Sequence, residues 1–265
     1  VKQWEEWGFD YLKYDYCNFP KSLDTKNAYL TMSMALRSCG RDIVFAACNF
    51  GEANAPEWMR SHGAHTFRST NDIYDTPESF LSIFERQYDK VNHNAPGCYN
   101  DMDMLIVGMN GNGNVGLEGC STQEYLLHFA MWAFLGSPLI IGGDIRNFAD
   151  EDKAILLNKH LISINQDDDC RPPFVIDANG RSFMMAKLLS KGKFAIGCFN
   201  IREEYKYPRS ISFDDLGIHS NTNKGVHLID ALTGEDMGVY TDGLRFFLHE
   251  HDCRVFIGEI CSLNE

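Results

Sequence analysis

The chain has 265 residues, 44% of them apolar and 12% aromatic, enough to bury the core of one large domain or of a medium and a small one. Its 24 basic and 37 acidic residues leave a formal net charge of −13, which disfavours nucleic acid and anionic membrane surfaces and points to a neutral or small partner. No apolar run reaches the roughly 20 residues of a membrane span, and the opening VKQWEEWGFDYLKYDY lacks the basic and then apolar segments of a signal peptide. The 9 cysteines show neither CxxC spacing nor a nearby histidine pair, so no metal site and no cofactor is expected. A scattered, odd set in a chain with a large core fits reduced thiols in a cytoplasmic protein, unless residues before Val1 alter the count.

Up to about residue 170, strand-like and helix-like segments alternate. FDYLKYD reads as a strand, and TKNAYLTMSMALRSCG as a helix with Tyr29, Met32 and Leu36 on one stripe and Gly40 as its stop. DIVFAAC is the next strand. TPESFLSIFERQYDKV opens with a Thr76 cap and Pro77 in the first turn, and its apolar spacing predicts a helix as far as Val91. MDMLIV reads as a strand. STQEYLLHFAMWAFLG has Ser121 and Glu124 in capping-box spacing and is apolar nearly all round, so it predicts a helix buried on every side. PLIIGGD and one helix over FADEDKAILLNKHL complete this part.

The tail differs. RSFMMAKLL, KFAIGCFN, GVHLIDALTGE, GLRFFLHE and CRVFIGEI are short strand-like runs parted by turn residues, which predicts a small antiparallel sandwich. The expected division is 1–170, an α/β unit with a parallel sheet, and 171–265, the sandwich; the absence of a flexible linker predicts that they pack together.

The carboxyl ends of parallel strands are where such folds gather their chemistry, and here they are polar. YLKYD sets Lys13 and Asp15 on one strand face, AACNFG ends in Asn49, and HTFRSTNDIYD carries Arg68, Asp72 and Asp75. YNDMDML adds Asp101 and Asp103, and IIGGD adds Asp144. Each alone is more often a cap, a turn or an ion pair than a catalyst; the succession of them is the stronger signal. Several carboxylates with an arginine and a lysine, and no metal-ligand histidines, suit glycoside hydrolysis, in which one carboxylate attacks the anomeric carbon and another protonates the leaving oxygen. Asp15, beside the positive charge of Lys13, is the better nucleophile, and Asp72, in a loop, is freer to act as the acid that becomes the base.

YLKYDYCN, CNFGEANAPEWMRSHGAHTFRSTNDIYD, PGCYNDMDMLIVG, HFAMWAFLGSPLIIGGDIR and SINQD resemble, in the same order, the signature segments of glycoside hydrolase family 27, the α-galactosidases and α-N-acetylgalactosaminidases. The resemblance runs from residue 1 to about 170, and the tail is consistent with that family's carboxyl-terminal sandwich. It implies a retaining hydrolase on a (β/α)8 TIM barrel, with Asp15 in the nucleophile's place and Asp72 in that of the acid/base. Lys13, Arg68 and Asp103 fall where the family binds the hydroxyls of the terminal sugar, and retention implies carboxyl groups about 5–5.5 Å apart.

The sequence departs from the family pattern in four ways. Asn49 stands where many members have Glu or Gln, in the region that discriminates sugars. Tyr99 and Met102 replace a common tryptophan and proline. Ala64 stands where secreted animal members have the cysteine that pairs with the one at Cys48. Finally, the family nucleophile ends the fourth barrel strand, whereas Asp15 is near the start of this chain; barrel units four to eight are then expected here, and the first three would come from a preceding segment or a partner.

The expected activity is hydrolysis of terminal α-D-galactosides. The alternatives are the same chemistry on α-N-acetylgalactosaminides or β-L-arabinopyranosides, or an inactive carbohydrate-binding fragment that needs its missing half; a homo-oligomer is a further way to complete the barrel. GNGNVG, residues 111–116, matches the glycine pattern of dinucleotide-binding folds, but Ser121 rather than Gly116 opens the next helix and no acidic residue follows at the spacing that holds a ribose. A loop beside the pocket is therefore expected from it.

Overall fold

In the computed structural model the described residues are 1–20, 22–116, 118–179, 181–201, 207–219 and 222–263. A short helix α1 (Lys2–Glu6) leads into β1 (Tyr11–Tyr14), followed by α2 (Thr25–Arg37), β2 (Val44–Cys48), α3 (Ala55–Trp58), β3 (Thr66–Arg68), α4 (Pro77–Gln87) and β4 (Tyr99–Asp101). The four strands are parallel and lie in chain order, β1-β2-β3-β4. Helix α2 starts where the Asp24 carboxylate accepts the Asn27 N–H, and it turns Tyr29 and Leu36 onto one side of the sheet. There they meet Phe45, Ala47 and Phe67, the alternate residues of β2 and β3.

Helix α4 begins as its sequence predicts, with Thr76 Oγ1 accepting the Ser79 N–H and Pro77 in the first turn. It stops earlier than Val91, because at Tyr88 the chain turns and the Lys90 N–H closes on the Gln87 carbonyl. The apolar run MDMLIV is not the strand it was expected to be. The extended residues are Tyr99–Asp101; Asp103 then adopts φ +82°, which ends the extension, and only Leu105 pairs again, in a single parallel bridge to Ile141. PLIIGGD contributes only that bridge.

Helix α5 (Thr122–Leu135) has the expected capping box between Ser121 and Glu124 and ends at Gly136, whose φ of 73° makes the left-handed stop. The expected single helix after Phe148 is two, α6 (Asp150–Leu156) and α7 (Lys159–Asn165). Asn158 separates them: its side chain accepts the N–H groups of His160 and Leu161, each at 3.0 Å, and starts a new helix.

The tail is all β: β5 (Phe174–Ala178), β6 (Ser182–Leu188), β7 (Lys193–Asn200), β8 (Tyr207–Ser212), β9 (Lys224–Asp230), β10 (Asp236–Tyr240), β11 (Gly243–Leu248) and β12 (Asp252–Ser262). Six strands form an antiparallel sheet in the order β10-β9-β12-β7-β6-β5, and β11-β8 form a second. Strand β7 shows how alternation serves two cores. Phe194, Ile196 and Cys198 pack with Ile211, Phe213 and Leu248 between the sheets, while Ala195 and Phe199 face α5. Phe199 lies 5.6 Å from Phe134 and 5.7 Å from Phe84, so one apolar cluster continues from the α/β part into the antiparallel sheet.

Candidate active site

The strand register decides which side chains share a face. Cys48, Arg68 and Asp101 are aligned across β2, β3 and β4, and Lys13 on β1 pairs with Ala46, two residues before Cys48 and so on the same face, opposite the one that carries Phe45, Ala47 and Phe67. Asp15 follows β1 directly, Asp72 lies in the loop after β3, and Asp103 lies just past β4.

Arg68 is the hub. It is 3% exposed, and burying a guanidinium is costly unless it is paired. Its Nη2 meets Asp103 Oδ2 at 2.9 Å and Asp72 Oδ1 at 3.1 Å and donates to the Asn71 carbonyl at 3.1 Å. Its Nε is buried with no hydrogen-bond partner among the described residues, a donor left over at the centre of the cluster.

The two carboxylates it joins are held very differently. The Asp103 side chain is 15% exposed; Oδ2 also accepts the Ile73 N–H and Oδ1 the Met104 N–H, each at 2.8 Å. Its backbone is fixed too, with its N–H on Asp101 Oδ1 and its carbonyl accepting the Trp132 indole N–H. A non-glycine residue at φ +82° costs on the order of 1–3 kcal/mol, a strain that persists where surroundings over-determine it. The Asp72 side chain is 60% exposed, with Arg68 as its ion-pair partner. The first is held on both oxygens and through its backbone; the second is held by the Arg68 pair at an exposed position.

Lys13 and Asp15 form the second pair, Nζ to Oδ2 at 3.8 Å, both partly exposed, with Asp15 Oδ1 accepting the Tyr16 N–H at 2.8 Å. Cys48, on the same sheet face, senses the charges of both groups. Burial pushes its thiol up to about 11, with Arg68 and Lys13 opposing and Asp15 and Asp72 adding to the rise. Asp101 likewise is raised by burial and opposed by Arg68 and Lys13.

Three further sequence candidates make their side-chain bonds outside this cluster. Asn49 is fully buried and turned into its own loop, where its Oδ1 accepts the Gly51 N–H and its Nδ2 donates to the Glu52 carbonyl. Asp144 is exposed and paired with Arg146 at 2.6 Å. Asp75 is buried and anchors the glycine-rich segment: its Oδ2 accepts the Gly111 N–H, its Oδ1 accepts the Tyr125 hydroxyl, and its backbone pairs with Val115 and Gly119. GNGNVG is thus a loop wrapped round a buried carboxylate, and α5 begins after it, at Ser121. Gly119, at φ +79°, lies so close to Gly111 N that a Cβ would come within 2.7 Å.

Sequence reasoning passed over Trp132, which reads as one more apolar residue of α5. The available signal was chemical, since a buried indole N–H needs an acceptor. Among the described residues no group of three or more His, Cys, Asp or Glu side chains could hold a metal ion, and no helix is long and apolar enough to cross a membrane.

These features define an α/β protein whose charged residues converge where parallel strands end, backed by an antiparallel sheet. The chain belongs to the Melibiase_2 family, alpha galactosidase A, whose model matches residues 1–167. It is 34% identical over 229 residues to the alpha-galactosidase A of Cellvibrio japonicus (strain Ueda107), a match covering 80% of this chain and 54% of that protein. With an alpha-galactosidase of Oryza sativa subsp. japonica it shares 30% identity over 262 residues, 97% of this chain and 58% of the relative. A crystal structure of a candidate alpha-galactosidase/melibiase from Bacteroides fragilis NCTC 9343 superposes with TM-score 0.89 at 32% identity, over 97% of this chain and 56% of that one. The chain therefore spans a little over half the length of these relatives.

Proposed function

We propose that the chain is part of a retaining glycosidase that releases terminal α-D-galactosyl residues, with Asp15 as nucleophile and Asp72 as acid and then base. The observation that carries this reading is Arg68 set between Asp72 and Asp103 at parallel strand ends, in a chain 34% and 30% identical to alpha-galactosidases. In the first step an Asp15 oxygen bonds to the anomeric carbon as the glycosidic C–O bond breaks, and Asp72 gives its proton to the departing oxygen. In the second, Asp72 takes a proton from water, whose oxygen displaces Asp15, and galactose leaves with its configuration retained. Lys13 supplies counter-charge to Asp15. Lys13, Arg68 and Asp103 hold the sugar hydroxyls, with the spare Arg68 Nε–H among the donors. Asn49 shapes the adjoining wall through its turn.

In the same reading residues 1–170 are units four to eight of a (β/α)8 barrel and 171–265 a separate sandwich domain. Exposed Trp7, Phe9 and Tyr11 near the β1 edge, and Ile140, Ile141 and Ile145 beyond α5, support a sheet closed by further units outside these 265 residues or by a partner chain.

The test is hydrolysis of an aryl α-galactoside by the full-length protein, with the anomer of the first product read by NMR. α-Galactose is expected, along with loss of turnover in Asp15→Gly and its rescue by azide as the β-galactosyl azide. First release of β-galactose, or normal turnover by Asp15→Gly, would overturn the assignment.

A further inference from the structure

Asp103 holds a backbone conformation that its residue type rarely takes, and two neighbouring groups, one on β4 and one on α5, keep it there. At φ +82° its Cβ is crowded by its own peptide, and without support the residue relaxes toward an extended or right-handed form. Such a change would swing the carboxylate off Arg68. Support comes from both ends of the residue. The Asp103 N–H donates to Asp101 Oδ1 at 2.9 Å, and the Trp132 Nε1–H donates to the Asp103 carbonyl at 2.8 Å. Trp132 is a fixed post: it is fully buried in α5, its ring centroid is 4.1 Å from that of buried His128, and the helix round it is apolar. Asp101 is fixed as well, at the end of β4 in register with Arg68.

We propose that Asp101 and Trp132 are positioning residues for sugar recognition, clamping the left-handed turn from which Asp103 reaches Arg68 and the galactosyl hydroxyls. The kinetic side of this proposal rests on the α-galactosidase reading; the clamp itself does not.

Three variants of the full-length protein separate the roles. Trp132→Phe keeps a ring and loses the N–H, Asp101→Ala loses the acceptor, and Asp101→Asn keeps an acceptor oxygen. Trp132→Phe and Asp101→Ala should raise KM for an aryl α-galactoside about tenfold or more with a smaller change in kcat, because Asp103 holds the sugar in ground and transition states alike. Asp101→Asn should remain near wild type. In an Asp103→Ala background both effects should vanish, since no carboxylate is left to position. Independently of catalysis, Trp132→Phe should speed amide exchange at Asp103 about tenfold. Unchanged KM in Trp132→Phe and Asp101→Ala, or effects fully additive with Asp103→Ala, overturns the proposal; if Trp132→Phe does not fold, the contrast between Asp101→Ala and Asp101→Asn decides. A wild-type protein inactive on α-galactosides sinks the substrate reading, and the exchange measurement then decides the clamp alone.

Discussion

The Tyr125 hydroxyl donates to Asp75 Oδ1 at 2.8 Å and accepts the N–H groups of Asn110 and Cys120, at 2.7 and 3.3 Å, so one oxygen of α5 ties a buried carboxylate to both ends of the glycine-rich loop. Tyr125→Phe leaves all three partners short of a bond, and an orphaned buried polar group costs about 1–3 kcal/mol. Unfolding in urea should show a loss of at least that size, and amide exchange at Asn110 and Cys120 should quicken while that of the antiparallel sheet does not. Equal quickening throughout would mean that the loop is not anchored through this hydroxyl.

Arg68→Lys keeps the charge and removes the guanidinium plane. Nη2 meets Asp72, Asp103 and the Asn71 carbonyl from the tip of that rigid plane; an ammonium on a flexible stem has no plane to hold it there and also lacks the Nε–H. The expected result is a fall of about 100-fold in kcat/KM on an α-galactoside, the size associated with one charged hydrogen bond, in a protein that still folds. Near-normal kcat/KM would show that charge alone suffices.

His128 gives the fold an acid-labile point. Burial alone depresses its folded-state value from 6.5 to about 3, and its Nε2 accepts the Ile106 N–H. The unfolded chain therefore binds a proton that the folded chain refuses between those values, so stability present above pH 6.5 drains away as pH falls toward 3. Urea midpoints measured from pH 7 to pH 4 should fall less steeply in His128→Gln than in wild type. Parallel slopes would remove His128 from the acid response.

Lys187 works in the opposite pH range. Its ammonium is buried against the Ile164 carbonyl at 2.9 Å, near the ends of α5 and α7, and burial lowers its value from 10.5 to about 8, with Asp167 opposing. Keeping it charged costs stability below pH 8, and the cost lifts as pH rises from 8 to 10.5, because there the unfolded chain holds the proton more tightly. Lys187→Met should lack that rise, although it also loses the bond to α7; the pH slope between 8 and 10, rather than the stability at one pH, is the measurement that decides.

What could be read from the sequence was local. The caps at Thr76 and Ser121 depend on residues within one turn of each other, and those helix starts appear where the spacing puts them. The strand near residue 100 was misplaced because what ends it, the left-handed turn at Asp103, is fixed by Trp132 from another element. Asn158 divides a helix that apolar periodicity ran together. In the site, the residue types were legible and their partners were not. Nothing in HTFRSTNDIYD and YNDMDML alone says that Arg68 grips Asp103 as well as Asp72, and nothing in AACNFG says that the Asn49 side chain closes its own turn.

Helix α5 has a bearing on how such a chain can be rearranged. Its residues are buried against the α/β elements on one side and against Phe183, Phe199 and Val255 of the antiparallel sheet on the other. A truncation before β5 would leave aromatic side chains facing water along the length of that helix, and grafting a foreign module in place of the sheet would have to reproduce the same apolar relief. The sheet behaves less as an exchangeable appendage than as the missing wall of α5, so substitutions on the two sides of that helix should be inherited together.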